Sequence, residues 1–316
     1  TRFRLCRSPG PSHRFFGDID VRALGWILVL AGLAGCGGDE GGTPTAPPEA
    51  SAPATSAMTT SAPAAQPVAE APAGVSWSDA AFAPVKPVIE ETIAYGEATD
   101  RNLTGFLALP ADVFEPPPGV LIIHEWWGLN DDTRALARRL AAEGFVVLAI
   151  DLYGDLVADT TTQAQAHMMR VMTEPEAALA NIAQGIEYVR RYALAPRVAT
   201  FGWSFGGTWS LQAGLSFADE IDAVVTYYGQ IVSDETELEK LTSPLMGMFA
   251  GADSSIPTDT VVGFRSALNN AGSNAVVRIY PDAEREFANP ASENYRHDDA
   301  EDAWQRVIEF LNTELR

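Results

Sequence analysis

The sequence predicts an α/β fold: a mostly parallel central sheet flanked by helices. Three observations predict it. Short apolar runs with no polar alternation recur at Gly119–Ile123, 145–150, 223–228 and Leu245–Ala250, as strands buried on both faces require. Segments with helical apolar spacing separate those runs, which implies right-handed crossovers between parallel strands. Third, Thr200-Phe201-Gly202-Trp203-Ser204-Phe205-Gly206-Gly207 reads as a strand ending in a glycine-bracketed serine and running straight into a helix. That G-x-S-x-G pattern describes a nucleophile elbow, a sharp turn that lifts one hydroxyl above the end of a sheet. Gly202 and Gly206 fit because the turn brings strand and helix backbones too close for Cβ atoms.

Taken in order, 88–95 and 103–109 alternate enough to form an antiparallel hairpin that turns near Asp100-Arg101-Asn102. The buried strand Gly119–Ile123 follows. A helical pattern over 131–143 is closed by Gly144 at the position after the cap. The strand over 145–150 ends in Asp151-Leu152-Tyr153-Gly154, and a long helical region over 161–192 breaks near Thr173-Glu174-Pro175. The elbow strand, 197–201, leads into a helix around 208–213. Strands over 223–228, 245–250 and 276–280 come next, with helices between them, and a helix over 298–315 closes the chain. Ligands in such folds sit beyond the carboxyl ends of the strands. His124-Glu125, Asp151, Ser204 and Asp253 each follow a strand at that end.

The N-terminal third reads differently. The run ALGWILVL at 23–30 follows Arg22, is too short for a permanent membrane span, and fits a signal-peptide core. It ends in Leu33-Ala34-Gly35-Cys36, which resembles the lipobox of bacterial lipoproteins and implies lipid attachment at Cys36. No methionine precedes Met58, so translation is expected to begin at Val21 through an alternative start codon. From 37 to 85 the chain is rich in Ala, Pro, Ser and Thr and reads as a disordered linker. The expected organisation is thus a signal region over 1–36, a linker over 37–85 and an α/β domain over 86–316. The expected location is the bacterial cell envelope, with the membrane reached through the lipid at Cys36.

Composition narrows the chemistry. The chain carries a formal charge of −21, and its first 36 residues hold five arginines against two aspartates, so the remainder stands near −24. That sign argues against nucleic acid and anionic lipid as ligands. The two cysteines, Cys6 and Cys36, both precede the domain, so neither a disulfide framework nor a cysteine nucleophile is available within it. No metal cluster or phosphate loop is visible, no cofactor is implied, and no signal specifies an oligomeric state. If the elbow is catalytic, Ser204 is its nucleophile.

With the elbow, the segments Ile122-Ile123-His124-Glu125-Trp126-Trp127-Gly128-Leu129-Asn130 and Ala149-Ile150-Asp151-Leu152-Tyr153-Gly154 carry a family resemblance. It continues through Tyr227-Tyr228-Gly229, Gly251-Ala252-Asp253 and Phe287-Ala288-Asn289-Pro290. Over nearly all of 90–316 the chain resembles the dienelactone hydrolase family of α/β-hydrolases. The resemblance implies hydrolysis of a small ester or lactone. It also implies a glutamate that contacts the nucleophile, matched by Glu125, and an acid that orients the base, matched by Asp253. The oxyanion hole it implies would use the backbone N–H groups of Trp126 and Phe205. His124, Trp127, Trp203 and Tyr153 are the expected pocket residues, with core packing as the alternative for the tryptophans. The family arginines that hold a substrate carboxylate are matched by Asp155 and Asn289, which argues against that particular substrate.

Two positions depart from the family. Ser204 stands where cysteine is usual, and a hydroxyl depends more heavily on an adjacent base. The triad histidine is replaced by Arg285, whose guanidinium stays protonated at neutral pH. An Asp253–Arg285 ion pair is the expected consequence. For the missing base the sequence offers His124, Glu125 and Glu286, the carboxyls only if burial raises their pKa. His167 and His297 read as helix surface or packing residues, and His13 lies in the leader. Two accounts follow: a serine hydrolase with an unusual base, or a catalytically impaired pocket that binds a ligand at the cell envelope. A plain peptidase fits the Glu125-Trp126 pair less well.

Overall fold

Eight strands form one sheet in the order β1-β2-β4-β3-β5-β6-β7-β8. The computed structural model describes residues 84–99 and 101–316. The signal-like run, Cys36, the proposed start at Val21 and the linker up to residue 83 lie outside the described residues.

The hairpin expected at the start is β1 (Val88–Glu97) and β2 (Asn102–Pro110), paired antiparallel with an irregularity between Ala94 and Gly96. Strand β2 also runs antiparallel to β4 (Val146–Ile150). The rest of the sheet is parallel: β3 (Gly119–Ile123), β4, β5 (Val198–Trp203), β6 (Ala223–Tyr227), β7 (Leu245–Ala250) and β8 (Ala275–Tyr280). Every residue of β3 to β7 is buried, which is why these segments read as continuous apolar runs.

Two apolar cores form, one on each face of the sheet. Helices α1 (Asp131–Ala142) and α7 (His297–Leu315) close one through Leu136, Leu140, Trp304, Val307 and Leu311. Helices α2 (Thr161–Thr173), α3 (Pro175–Arg191), α4 (Phe205–Ser216) and α6 (Thr258–Asn270), with the short α5 (Glu235–Leu238), close the other. Burial of such side chains contributes roughly 1.5–3 kcal/mol each against leaving them exposed.

Local chemistry sets the helix ends. The Asn130 side chain accepts the Thr133 N–H at 3.0 Å, and Gly144 takes φ +99 just beyond the α1 cap. The long helical region breaks because Pro175 opens α3, where the missing N–H is tolerated. The elbow helix begins at Phe205, three residues earlier than the sequence pattern indicates. Aromatic and glycine residues at its first turn hide the helical period. Inside α4, the buried Ser210 hydroxyl donates to the Val225 carbonyl at 2.8 Å, tying the helix to β6.

The elbow is held by backbone-on-backbone contact. A Cβ built on Gly206 would strike the carbonyl oxygens of Ile123 and His124, and one on Gly202 would strike Gly206. Gly206→Ala is therefore expected to cost about 2–4 kcal/mol, because neither obstacle is a side chain that can turn away. Gly263→Ala in α6 meets nothing within 4 Å and should stabilise by about 0.5–1 kcal/mol. Thermal denaturation of both variants checks the contrast, and a harmless Gly206→Ala would contradict the account of the elbow.

Candidate active site

Four strand ends build the site. Ser204 follows β5 directly and adopts φ 51, ψ −115, a conformation that costs a non-glycine residue of order 1–3 kcal/mol. The fold holds it there: Ser204 N–H donates to Tyr227 O at 2.9 Å, and Ser204 O accepts the Thr208 N–H at 3.0 Å. Strands β3 and β5 pair from Gly119↔Val198 to Ile123↔Gly202. Glu125 and Ser204 each lie two residues beyond the last of these pairs.

Asp253 and Arg285 come from the loops after β7 and β8, which are stitched to each other. Gly251 N–H donates to Tyr280 O at 2.7 Å and Ala252 N–H to Ala283 O at 2.8 Å. Fully buried Phe287 anchors the second loop against Tyr280 and Tyr228, with ring centroids 4.8 and 5.9 Å away. Asn294 Nδ2 donates to Arg285 O at 3.0 Å. The loop therefore presents residue 285 toward the elbow as a fixed element.

Arg285 lies between Ser204 and Asp253. Its Nη2 donates to Ser204 Oγ at 2.7 Å. Its Nη1 donates to Asp253 Oδ2 at 3.1 Å and to Ser255 Oγ at 3.2 Å. The guanidinium also lies 5.6 Å from the Tyr228 ring centre, within cation–π range. The other Asp253 oxygen accepts the Ser255 hydroxyl at 2.5 Å and the N–H groups of Ser255 and Ile256 at 2.8 and 3.3 Å. Asp253 is 5 % exposed, so its charge is held by Arg285 and these donors without any imidazole. Arginine has only donors, so Ser204 Oγ accepts here, and its own proton is left for another group.

Glu125, just beyond β3, is a second carboxyl at these strand ends. Its Oε2 accepts the Asn289 Nδ2–H at 2.8 Å, and its Oε1 is buried without a hydrogen-bond partner among the described residues. Burial, and next the nearby Glu286 charge, push its pKa up to about 8, against the opposing pull of Arg285 and Asn289. Glu125 and Ser204 share no hydrogen bond in this arrangement. Glu286 takes φ 67 and is half-buried, so Ser204, Tyr228 and Glu286 put three strained residues around one site.

The expected oxyanion donors are Trp126 and Phe205. Phe205 opens α4, where the first N–H groups have no intrahelical partner. Neither residue donates a backbone hydrogen bond to another main-chain group among the described residues. Trp126 and Trp127 are half-buried, with ring centroids 5.1 Å apart.

Three expected pocket residues lie beneath the site instead of in it. His124 is 1 % exposed, and both its ring nitrogens are engaged by main chain: Nδ1 with Glu125 O at 2.6 Å, and Nε2 with the Leu152 N–H at 3.1 Å. Nε2 also lies 3.7 Å from Asp151 Oδ1, so both nitrogens are occupied and neither bonds Ser204, which removes His124 as a base. Tyr153 is fully buried and packs between His124, Phe205 and His167. Trp203 is 7 % exposed and packs on Phe201 and Tyr227. These corrections share one cause, since side chains flanking a strand end fall alternately to either face. His297 is exposed at the start of α7. Sequence reasoning did not find Ser255, the Asn289–Glu125 bond or Tyr228 under the guanidinium. The spacing Asp253-x-Ser255 is the signal that was available, since an aspartate commonly accepts from the residue two places on.

The Glu125 shift fixes a sign for stability against pH. Its folded pKa lies above the ordinary carboxyl value of 4.5, so its contribution is fully present below pH 4.5 and is lost as pH rises through about 8. Glu125→Gln should leave the melting temperature nearly unchanged at about pH 4.5 and raise it relative to the parent at about pH 9. Equal melting differences at both pH values would contradict a buried, protonated Glu125.

Comparison with known proteins bears on the fold and the family. The profile of the dienelactone hydrolase family matches residues 103–315. An Escherichia coli (strain K12) protein named "Putative carboxymethylenebutenolidase" is 29 % identical over 231 residues, covering 66 % of this chain and 82 % of that protein. "Protein usf" of Aquifex pyrophilus is 30 % identical over 227 residues, covering 69 % and 96 % respectively. Among solved structures, one from Klebsiella pneumoniae titled "Putative Dienelactone Hydrolase" superposes with a TM-score of 0.65 at 25 % identity, over 72 % of this chain and 99 % of that one. With its α/β-hydrolase sheet, its serine elbow and a family match over two thirds of its length, the chain belongs to the dienelactone hydrolase family.

Proposed function

We propose that this chain hydrolyses a small ester or lactone through an acyl-enzyme on Ser204. Family membership supports the ester or lactone class. The observation that carries the acyl-enzyme is the strained Ser204 at φ 51, with Phe205 N–H at a helix start beside it and a raised-pKa carboxyl at the neighbouring strand end. In this mechanism Ser204 Oγ attacks the carbonyl and Glu125 carboxylate takes its proton. The bond from the acyl carbon to the leaving oxygen then breaks, that oxygen takes a proton from solvent, and Glu125 returns its own proton to solvent. Trp126 and Phe205 N–H groups receive the oxyanion. Asp253 and Ser255 hold Arg285 in place. Water then attacks the acyl carbon, with Glu125 again accepting the proton.

A second reading rests on one specific observation. Arg285 donates to Ser204 Oγ at 2.7 Å and satisfies Asp253 fully, so the site is complete as a ligand-binding pocket without a base. For either reading, we place the α/β domain at 86–316 on a tether anchored through Cys36 at the cell envelope. The apolar run at 23–30 and the Leu33-Ala34-Gly35-Cys36 sequence support that placement.

The test is hydrolysis of a short-chain para-nitrophenyl ester by the full chain across pH. Only ionised Glu125 can act as base, so kcat/KM should rise as pH passes through about 8. Ser204→Ala should abolish turnover, and Arg285→His should raise it about a hundredfold or more at pH 7 by restoring an imidazole. No turnover in the parent at any pH, with activity gained in Arg285→His, would favour the binding pocket.

A further inference from the structure

An imidazole at position 285 would do two jobs: take the serine proton, then hand it to the departing alcohol. Arg285 can do neither, since a guanidinium stays protonated near neutral pH. Yet its Nη2 lies 2.7 Å from Ser204 Oγ, where a bond to the leaving oxygen must break. The guanidinium is fixed there by Asp253, Ser255 and the Tyr228 ring. The loop sets the main-chain position of Arg285 through Asn294 and buried Phe287. Glu125, just beyond the end of β3, has Oε2 bonded to Asn289 and shares no hydrogen bond with Ser204. What the seat offers a departing oxygen is a fixed positive charge with N–H donors and no transferable proton.

We propose that this arrangement restricts turnover to esters and lactones of phenols, whose oxygen can leave as an anion beside Arg285, and excludes those of simple alkyl alcohols. The inference rests on the Ser204 acyl-enzyme reading. In the acylation step a bond forms between Ser204 Oγ and the acyl carbon, and the bond from that carbon to the phenolic oxygen breaks. The serine proton goes to Glu125 carboxylate and the electron pair leaves with the phenolate, which solvent later protonates. Glu125 returns its proton to solvent. Water then adds to the acyl carbon and gives a proton to Glu125, which passes it to Ser204 as the carboxylic acid is released. A phenol has a pKa of about 10, so phenolate needs only charge stabilisation to depart. An alkoxide is far more basic and needs a proton as the bond breaks. The half-buried Trp126 and Trp127, directly after Glu125, offer an aromatic surface for a phenyl ring.

The experiment measures acylation of the full chain by para-nitrophenyl, para-chlorophenyl, phenyl and benzyl acetates at about pH 9, with Arg285→His alongside. Expected for the parent is a rate that falls several-fold to about tenfold per unit of leaving-group pKa, with benzyl acetate uncleaved. Arg285→His should flatten that dependence and admit benzyl acetate, because an imidazolium can protonate an alkoxide as it leaves. Benzyl acetate cleaved by the parent within about tenfold of phenyl acetate would overturn the leaving-group proposal while sparing the acyl-enzyme. No acylation of the parent by any member would overturn the acyl-enzyme reading and this proposal with it. A parent series as steep in Arg285→His as before would show that residue 285 does not set the selectivity.

Discussion

The ion pair between Arg285 and Asp253 is the interaction on which this site depends. Asp253 is nearly inaccessible to solvent, and a buried carboxylate without a partner costs several kcal/mol. A lone loss of the imidazole would have left that charge exposed to this cost. The guanidinium removes it, and its second nitrogen then reaches the nucleophile at 2.7 Å. One residue thus conserves the electrostatics of the acid and reverses the chemistry at the serine. The hydroxyl becomes an acceptor, and whatever takes its proton must come from the other side.

That other side is set by the sheet. Glu125 and Ser204 each follow the last β3–β5 pair by two residues, and the close contact of Gly206 with the Ile123 and His124 carbonyls fixes the spacing between those strand ends. Burial and the neighbouring Glu286 then raise the Glu125 pKa toward the range where a carboxylate can act as a base in mildly alkaline solution. The same burial makes the ionised form costly to the fold. Base strength and stability are therefore opposed at this residue, as they commonly are in active sites.

Much of the fold was legible because each cue is local. Buried parallel strands announce themselves as unbroken apolar runs, and β3, β5 and β7 fall within a residue or two of where those runs lie. Gly144 and Pro175 mark a helix end and a helix start through chemistry confined to one or two peptide units. The elbow was legible as a motif, although α4 begins at Phe205, where propensity gives no signal. The Asp253–Arg285 pair could be anticipated from charge and chain order alone. What the sequence could not show is direction. Whether His124 faces the nucleophile or the main chain of Leu152 depends on how the strand twists as it ends. Tyr153 and Trp203 had the composition of a pocket wall but the position of its floor. The Asn289–Glu125 bond joins residues 164 apart in sequence, and no local pattern encodes it.

The central claim is that Ser204 remains a nucleophile although arginine holds the base's seat. Intact-protein and peptide mass spectrometry of the full chain, quenched within seconds of mixing with para-nitrophenyl acetate above the Glu125 pKa of about 8, tests it most directly. The account predicts one acetyl group on the peptide carrying Ser204. An unmodified peptide in the parent, with the same peptide acetylated in Arg285→His, would contradict it and leave a pocket that binds without reacting.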